Sequence, residues 1–361
     1  MTTPHSYNQE EMNAKWLRST AAFFVAVSLV LAQAQSDAPT LNPTQKKEVI
    51  DAIGKTLVER AFVPNIDFGT WPELVRRESD AVERSSTPAA FTATLNRLLR
   101  TYGISHIRLS PGSGRVASVP ALPTVSDVLL LVQEAPRRRE TLTIVGEIAI
   151  LRVPTFSDGY SRENIERLMT QAHEEEAKGL ILDLRRNGGG ASSNLNHLLS
   201  LILPPNTEYG VFLSRRIVSD WQRAHPNEEV DLGRVATWTT SRARTRPRGI
   251  DPFKGPIAVM IDRGSASASE ITAAALKENA DAILVGSPSA GAVLASVNAR
   301  LPHGFSLQYP VSDYITTKGR RLEKQPLEPD VREAGRVTAT DDPVRAAALK
   351  AVRAKLNEAG A

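Results

Sequence analysis

The second half of the sequence alternates short apolar runs with helical patterns, and this alternation constrains the fold more than any other feature. The apolar runs are typical of buried strands and read EIAILRVP from Glu147, GLILDL from Gly179, PIAVMID from Pro256 and AILVG from Ala282. Helical spacing of apolar residues separates the runs, for example between Arg162 and Lys178. Strands and helices in alternation favour parallel strands joined by right-handed crossovers, so we expect an α/β core.

The residues before this core show helical rather than alternating patterns. Ile50, Ile53 and Leu57 fall on one helix face, and Thr87 before Pro88 supplies an N-cap and a proline at the first helical position. We therefore expect a small N-terminal helical subdomain. The expected organisation is a helical subdomain over 35–110, a connecting segment over 111–142, an α/β core over 143–335 and a C-terminal helix over 336–361.

The extreme N-terminus has the pattern of a secretory signal peptide. Lys15 and Arg18 precede an apolar run from 21 to 31, and Ala32 and Ala34 stand at the positions of an A-x-A cleavage site. The run is shorter than the roughly 20 apolar residues that a spanning helix needs. We expect residues 1–34 to be a signal peptide, and the mature protein to be periplasmic or secreted with no membrane span.

Composition excludes several kinds of chemistry. The 361 residues include six His, no Cys and no HExxH pattern, which removes thiolate catalysis and makes us expect neither a metal nor a cofactor. Lys and Arg number 44 against 40 Asp and Glu, for a net charge of +4. Four arginines between Arg242 and Arg248 could bind a polyanion, but they lack interleaved aromatic residues. A solvated loop is favoured there, and no nucleic acid partner is expected.

Two segments carry the candidate chemistry. One is a serine-rich helix start, where Ser267 follows a strand and precedes Ala268. The other is the glycine loop over 188–190, at the end of another strand. Small neighbours allow a substrate carbonyl to approach, and unpaired N–H groups of a first helical turn can stabilise an oxyanion. Either segment alone is also consistent with an ordinary N-cap or turn.

Taken together, these segments resemble the C-terminal processing (tail-specific) serine peptidase family and its tricorn-like branch. The resemblance covers about 44–110 and 143–332. Its carriers are GLILDLRRNGGG, PIAVMIDRGSASASEITAAALKENADAILVG, and LPHGFSLQYP followed by LEPD. It implies a crotonase-like or ClpP-like spiral α/β core, a polypeptide substrate and Ser267 as the nucleophile.

The sequence departs from that family at two places. The family's general base is a lysine after a small-residue turn, and Ala292 stands at that position here. The short segment from Ser110 to Val145 also leaves no room for the PDZ module that the family usually carries. The resemblance to the tricorn-like branch implies His106 as the base, preceded by Ser105. Imidazole suits this role because its pKa near 6.5 allows it to accept and return a proton at neutral pH.

A carboxylate should orient His106, as in other Ser-His-acid sites. Glu270 lies about one helical turn after the nucleophile, and Glu323 is the rival because tricorn-like enzymes take their acid from the C-terminal part of the domain. We favour Glu270. The expected oxyanion donors are the backbone N–H groups of Ala268 and Gly189.

The resulting prediction is an exported serine peptidase that hydrolyses peptide bonds through an acyl-enzyme and a Ser-His-Glu type site. One alternative is a catalytically inactive peptide-binding relative of the same fold, since the lysine and the PDZ module are missing. A second alternative is an acyl-CoA enzyme on the same fold class. An exported protein has little access to CoA, which disfavours this alternative.

Overall fold

The computed structural model describes residues 40–111, 139–335, 338 and 341–360. The predicted signal peptide over 1–34 and most of the predicted connecting segment over 111–142 lie outside the described residues. Within the described ranges, no helix is both long and apolar enough to cross a lipid bilayer.

The N-terminal part is helical, as the sequence predicts. From residue 40 onward, its α-helices are α1 (Pro43–Arg60), α2 (Trp71–Arg77), α3 (Ser79–Arg84) and α4 (Pro88–Arg100), and a 3-10 turn (Phe68–Thr70) precedes α2. Thr87 caps α4 as predicted, because its Oγ1 accepts the N–H of Ala90 at 3.2 Å. The apolar faces of these helices form one core with Leu109, Leu307 and other residues of a neighbouring sheet.

The α/β core is built on a six-stranded sheet. Its strands, in spatial order, are β11 (Val331–Arg332), β8 (Ile283–Gly286), β7 (Ile257–Ile261), β4 (Gly179–Asp183), β3 (Ile148–Arg152) and β2 (Thr141–Val145). All neighbouring pairs are parallel except β2 and β3. Strands β3, β4, β7 and β8 are the apolar runs of the sequence, which are buried because helices cover both sheet faces.

Helices pack on both faces of this sheet. One face carries α5 (Arg162–Glu174), α6 (Ser192–Ile202) and α9 (Ala268–Ala280), and the other carries α10 (Pro343–Gly360). Gly179 lies under α10 so closely that an added Cβ would overlap Val352. Arg185, which follows β4, binds both carboxylate oxygens of Asp342 at 2.8 Å and so ties the start of α10 to the core.

A second sheet lies beside the helical part. It contains β1 (Arg108–Ser110), β10 (Ser306–Ile315), β5 (Glu208–Ser214) and β6 (Ala243–Arg244) in that order, and β9 (Ala295–Arg300) pairs with β10. All of these pairs are antiparallel. A 3-10 turn (Pro302–Gly304) joins β9 to β10. The two sheets bring distant parts of the chain to one cavity.

The stretch from Asp220 to Lys254, which contains the arginine run, is more ordered than the solvated loop expected at that run. It contains the end of α7 (Arg215–Ala224), then α8 (Leu232–Trp238) and strand β6. Trp221 and Val235 are buried in a small apolar cluster against β5. The spacing of such apolar residues in the sequence could have predicted the two helices. Arg242 of the arginine run pairs with Glu208 at 2.8 Å.

Candidate active site

One cavity collects most of the predicted site residues. Its volume is about 630 Å³. It lies where the loops after β4 and β7 meet the ends of β9 and β10, a usual ligand position at the carboxyl ends of parallel strands. Its lining includes His106, Ser267, Ala268, the glycine loop 188–190 and the segment 293–296.

Ser267 lies on a sharp turn between β7 and α9. Its φ of 57° and ψ of −117° are strained for a residue with a side chain, and such strain is typical of functional sites. Its N–H donates to the carbonyl of Ala292 at 2.9 Å and to Glu270 Oε2 at 3.1 Å. The backbone at Ser267 is therefore held, and its side chain faces the cavity.

The loops that follow β4 and β7 are bonded to each other, and this fixes the glycine loop beside Ser267. The Asn187 carbonyl accepts the N–H of Ala266 at 3.0 Å and the hydroxyl of Ser269 at 2.7 Å. Gly189 lies so close that an added Cβ would stand 2.7 Å from Ser267 Cβ. Only glycine fits at this position, where φ is also +91°.

The two predicted oxyanion donors differ in their hydrogen bonding. The N–H of Ala268, at the first turn of α9, has no partner among the described residues, and Ala268 lines the cavity. The N–H of Gly189 instead donates to the side-chain oxygen of Asn187 at 2.9 Å. An Asx-type turn thus engages the N–H of Gly189 in this structure, and its role as an oxyanion donor stays a prediction.

His106 is connected to a buried carboxylate through Ser105. Ser105 Oγ lies 2.7 Å from His106 Nδ1 and donates to Glu323 Oε2 at 2.8 Å. Glu323 is 2% exposed and also accepts the backbone N–H groups of Ser105 at 2.8 Å and of Val293 at 2.9 Å. The relay therefore runs from Glu323 through Ser105 to His106.

This relay assigns the tautomer of His106. The carboxylate can only accept, so the single hydroxyl hydrogen of Ser105 points to Glu323, and Ser105 Oγ must accept from Nδ1–H. The lone pair then resides on Nε2, the nitrogen that a general base would use. Burial lowers the pKa of His106 below its usual 6.5, although Glu323 opposes the shift, so the imidazole is neutral at pH 7.

No hydrogen bond joins His106 to Ser267 Oγ within the part of the chain described, although both side chains line the same cavity. Hydrogen bonds of catalytic groups are often long in unliganded enzymes and tighten when substrate binds. The structure thus brings Ser267, His106 and Ala268 together around one space.

Glu270 has a different set of contacts from the one expected. Its carboxylate accepts four hydrogen bonds, from the N–H groups of Ser267, Gly291 and Ala292 and from Ser289 Oγ at 2.5 Å. None of these partners is His106. The side chain of Glu270 therefore fastens the turn 289–292 to the start of α9. Burial raises its pKa, against the effect of these hydrogen bonds.

Ala292 stands where the family's lysine was expected, and it does lie next to the nucleophile position. Its carbonyl accepts the N–H of Ser267 at 2.9 Å. A methyl group there cannot accept a proton, so the basic group must come from elsewhere. Within the described residues, no cluster of His, Asp and Glu is arranged to hold a metal ion.

Several cavity residues carry no motif and were missed in the sequence. Asp158 and Tyr160 lie in the loop between β3 and α5, and Asn298 and Gln308 lie on β9 and β10. Short loops and edge strands have no characteristic spacing of apolar residues. Only the periodicity of the flanking elements could have pointed to these four cavity residues.

The fold and the cavity define an α/β protein in which a strained serine, a neutral histidine and the N–H of Ala268, unpaired among the described residues, lie around one space. Residues 147–333 match the model of peptidase family S41, and the chain belongs to this family. The tail-specific protease of Haemophilus influenzae is 28% identical over 185 residues, which are 51% of this chain and 23% of that protein. The nisin-resistance protein of Lactococcus lactis is 28% identical over 196 residues, which are 52% of this chain and 57% of that protein.

The chain thus matches less than two thirds of the length of these relatives. Among solved structures, a lipoprotein from Streptococcus agalactiae superposes with a TM-score of 0.56 over 88% of this chain and 99% of that one. The two chains are 17% identical, so this likeness concerns the fold alone.

Proposed function

We propose that this protein is a serine-type peptidase that hydrolyses polypeptides through an acyl-enzyme on Ser267. The observation that carries the proposal is the relay from Glu323 through Ser105 to His106, which leaves Nε2 of a neutral imidazole as a base in the same cavity as the strained serine. Membership of family S41 supports a peptidase.

In the acylation step, Ser267 Oγ attacks the carbonyl carbon of the scissile peptide bond while His106 Nε2 takes the hydroxyl proton. The N–H of Ala268 and an N–H of the glycine loop stabilise the resulting oxyanion. The tetrahedral intermediate collapses, the C–N bond breaks and the imidazolium returns the proton to the leaving amine. Water then hydrolyses the ester with His106 again as the base, which regenerates Ser267.

The carboxylate of this site is proposed to be Glu323 rather than Glu270. Glu323 reaches His106 through a hydroxyl that both donates to the carboxylate and accepts from the imidazole, so its charge stabilises the imidazolium formed in the transition state. Glu270 is proposed to position the backbone of Ser267. The site is then a serine, a histidine and a glutamate with a bridging serine.

We also propose that the protein works outside the cytoplasm, on the basis of the signal-peptide pattern over residues 1–34. The exported unit would then begin at residue 35 and include the expected helical subdomain over 35–110, the expected core over 143–335 and the expected C-terminal helix. N-terminal sequencing of protein recovered from a periplasmic or culture fraction tests this, with Gln35 as the expected first residue.

Hydrolysis of an unfolded protein substrate tests the activity. Wild type should produce new peptide termini that mass spectrometry detects, and Ser267→Ala and His106→Ala should each lower the rate by at least about 10³. Folding of each variant is checked by thermal unfolding. Peptide binding by folded wild-type protein with no hydrolysis would contradict the proposal and favour an inactive peptide-binding relative.

A further inference from the structure

The loop between β3 and α5 presents a carboxylate to the cavity. Ser157, Asp158, Gly159 and Tyr160 form a β-turn, in which the N–H of Tyr160 donates to the carbonyl of Ser157 at 2.9 Å. Asp158 occupies the second position of this turn, is exposed and lines the same cavity as Ser267.

Both ends of this turn are anchored. On the N-terminal side, Phe156 forms a two-stranded bridge with the glycine loop, since its N–H donates to the Gly189 carbonyl at 3.0 Å and its carbonyl accepts the N–H of Ala191 at 2.9 Å. Asn194 Nδ2 donates to the same Phe156 carbonyl at 2.9 Å. The turn is therefore tied to the loop that abuts Ser267.

The C-terminal end of the turn is fixed by a buried histidine. The hydroxyl of Tyr160 lies 2.8 Å from His197 Nδ1, and His197 Nε2 lies 2.9 Å from Glu166 Oε1. A carboxylate can only accept, so Nε2 carries the hydrogen and Nδ1 accepts from Tyr160. His197 is fully buried. Asp158 is thus held between two fixed residues, Phe156 and Tyr160.

The charge of the cavity is set by this one turn. Asp158 is the only acidic side chain among the described residues that line the cavity, and no lysine or arginine lines it. Asp158 has no ion pair within the described ranges. Arg162, four residues later, donates its Nε to Asn194 Oδ1 at 3.1 Å instead. A bound peptide with a cationic group would therefore meet an unopposed carboxylate.

We propose that Asp158 is a specificity-determining residue that selects polypeptides with a cationic group in the segment that the cavity holds. This rests on the proposed function, because it assumes that a peptide occupies the cavity. The cation is either a lysine or arginine side chain or the free N-terminal ammonium of a short peptide, since both are compact positive charges that hydrogen-bond a carboxylate. An exposed ion pair of this type changes affinity by about two- to fivefold.

Binding to the Ser267→Ala variant tests this without turnover. The probes are three fluorescein-labelled ten-residue peptides of alanine, serine and glycine, one acetylated with three lysines, one acetylated with three glutamines, and one with the glutamines and a free N-terminus. Fluorescence anisotropy gives the Kd of each at 50 and 500 mM NaCl. The lysine peptide is expected to bind about two- to fivefold more tightly than its glutamine counterpart, and salt should reduce the difference.

Asp158→Asn in the same background should abolish this preference, and Asp158→Lys should reverse it. The matched control is Glu163→Gln, which removes the same charge from the exposed first turn of α5 outside the cavity lining. The control should keep the preference. The peptide with a free N-terminus shows which cation Asp158 binds. It should bind more tightly than the acetylated glutamine peptide only if Asp158 binds the N-terminal ammonium.

The proposal is overturned if Asp158→Asn and Glu163→Gln change the preference equally, or if neither cationic peptide binds better than the neutral one. Failure of the proposed function would look different. Wild type would then hydrolyse none of the peptides while the Asp158-dependent binding preference persists.

Discussion

Replacing Glu323 by glutamine removes the charge behind His106 while keeping the size of the side chain. The hydrogen bonds of 2.7 and 2.8 Å on either side of Ser105 Oγ place His106 Nδ1 and Glu323 Oε2 at most about 5.5 Å apart. At an effective dielectric constant of about 20, unit charges at that distance attract by about 3 kcal/mol. Loss of this attraction to the transition-state imidazolium lowers kcat/KM by about 10².

The pH profile separates this electrostatic role from a purely structural one. Glu323 raises the pKa of His106, so its neutralisation should move the acid limb of kcat/KM to lower pH. Glu270→Gln is the matched control, because Glu270 is also a buried carboxylate that accepts backbone N–H groups. This control should lower thermal stability and leave the acid limb in place.

The assay is steady-state hydrolysis of an internally quenched peptide between pH 4.5 and 9, with thermal unfolding of each variant as a check on folding. A folded Glu323→Gln protein that keeps its acid limb and loses less than threefold in kcat/KM would refute the relay. An equal shift of the acid limb of kcat/KM in Glu270→Gln would refute the conclusion that the charge of Glu323 sets the pKa of His106.

Three further outcomes are expected. In a pH series of kcat/KM, the acid limb of wild type should have its midpoint below pH 6.5. Protonation of His106 removes the base as pH falls, and burial lowers the pKa of this histidine. Gly189→Ala should lower the rate of hydrolysis at least about 10²-fold, since its Cβ would overlap the nucleophile turn. Gly188→Ala should lower the rate less, because its Cβ meets no atom within 4 Å. Asp342→Asn should reduce the free energy of unfolding in urea by about 1–2 kcal/mol by weakening the pair with Arg185.

Much of the α/β core could be predicted because its signals are local. Strands β3, β4, β7 and β8 are continuous apolar runs, and Thr87 before Pro88 marks a helix start by its own side-chain chemistry. Two of the segments that carry the family resemblance are contiguous stretches around the glycine loop and Ser267. Those segments lie on adjacent strands, so the same local patterns placed them in one cavity.

The partner of His106 could not be predicted in the same way. Spacing places Glu270 one helical turn from Ser267, but spacing does not fix where the carboxylate points, and four nearby donors bind it. Glu323 lies 218 residues from Ser105 in sequence, and the two meet because β1 and β10 pair in one sheet. Contacts of that kind depend on sheet topology, which periodicity does not reveal.

Gly189 shows a similar limit at shorter range. The glycine loop predicts a backbone close to the nucleophile, and the close approach of Gly189 to Ser267 agrees with this. Whether the N–H of Gly189 is free depends on a single side chain, and here it donates to the side-chain oxygen of Asn187. Ala268 keeps a free N–H among the described residues because it opens a helix, which leaves its donor without an acceptor in the preceding turn.

Covalent labelling shows whether Ser267 is a nucleophile activated by His106. Purified protein is treated with a fluorophosphonate, and the adduct is located by mass spectrometry in wild type, Ser267→Ala, His106→Ala and Glu323→Gln. One adduct is expected on Ser267; it should be absent from the first two variants and form about 10²-fold more slowly in the third. A folded wild-type protein that forms no adduct, or that labels equally well without His106, would contradict this expectation.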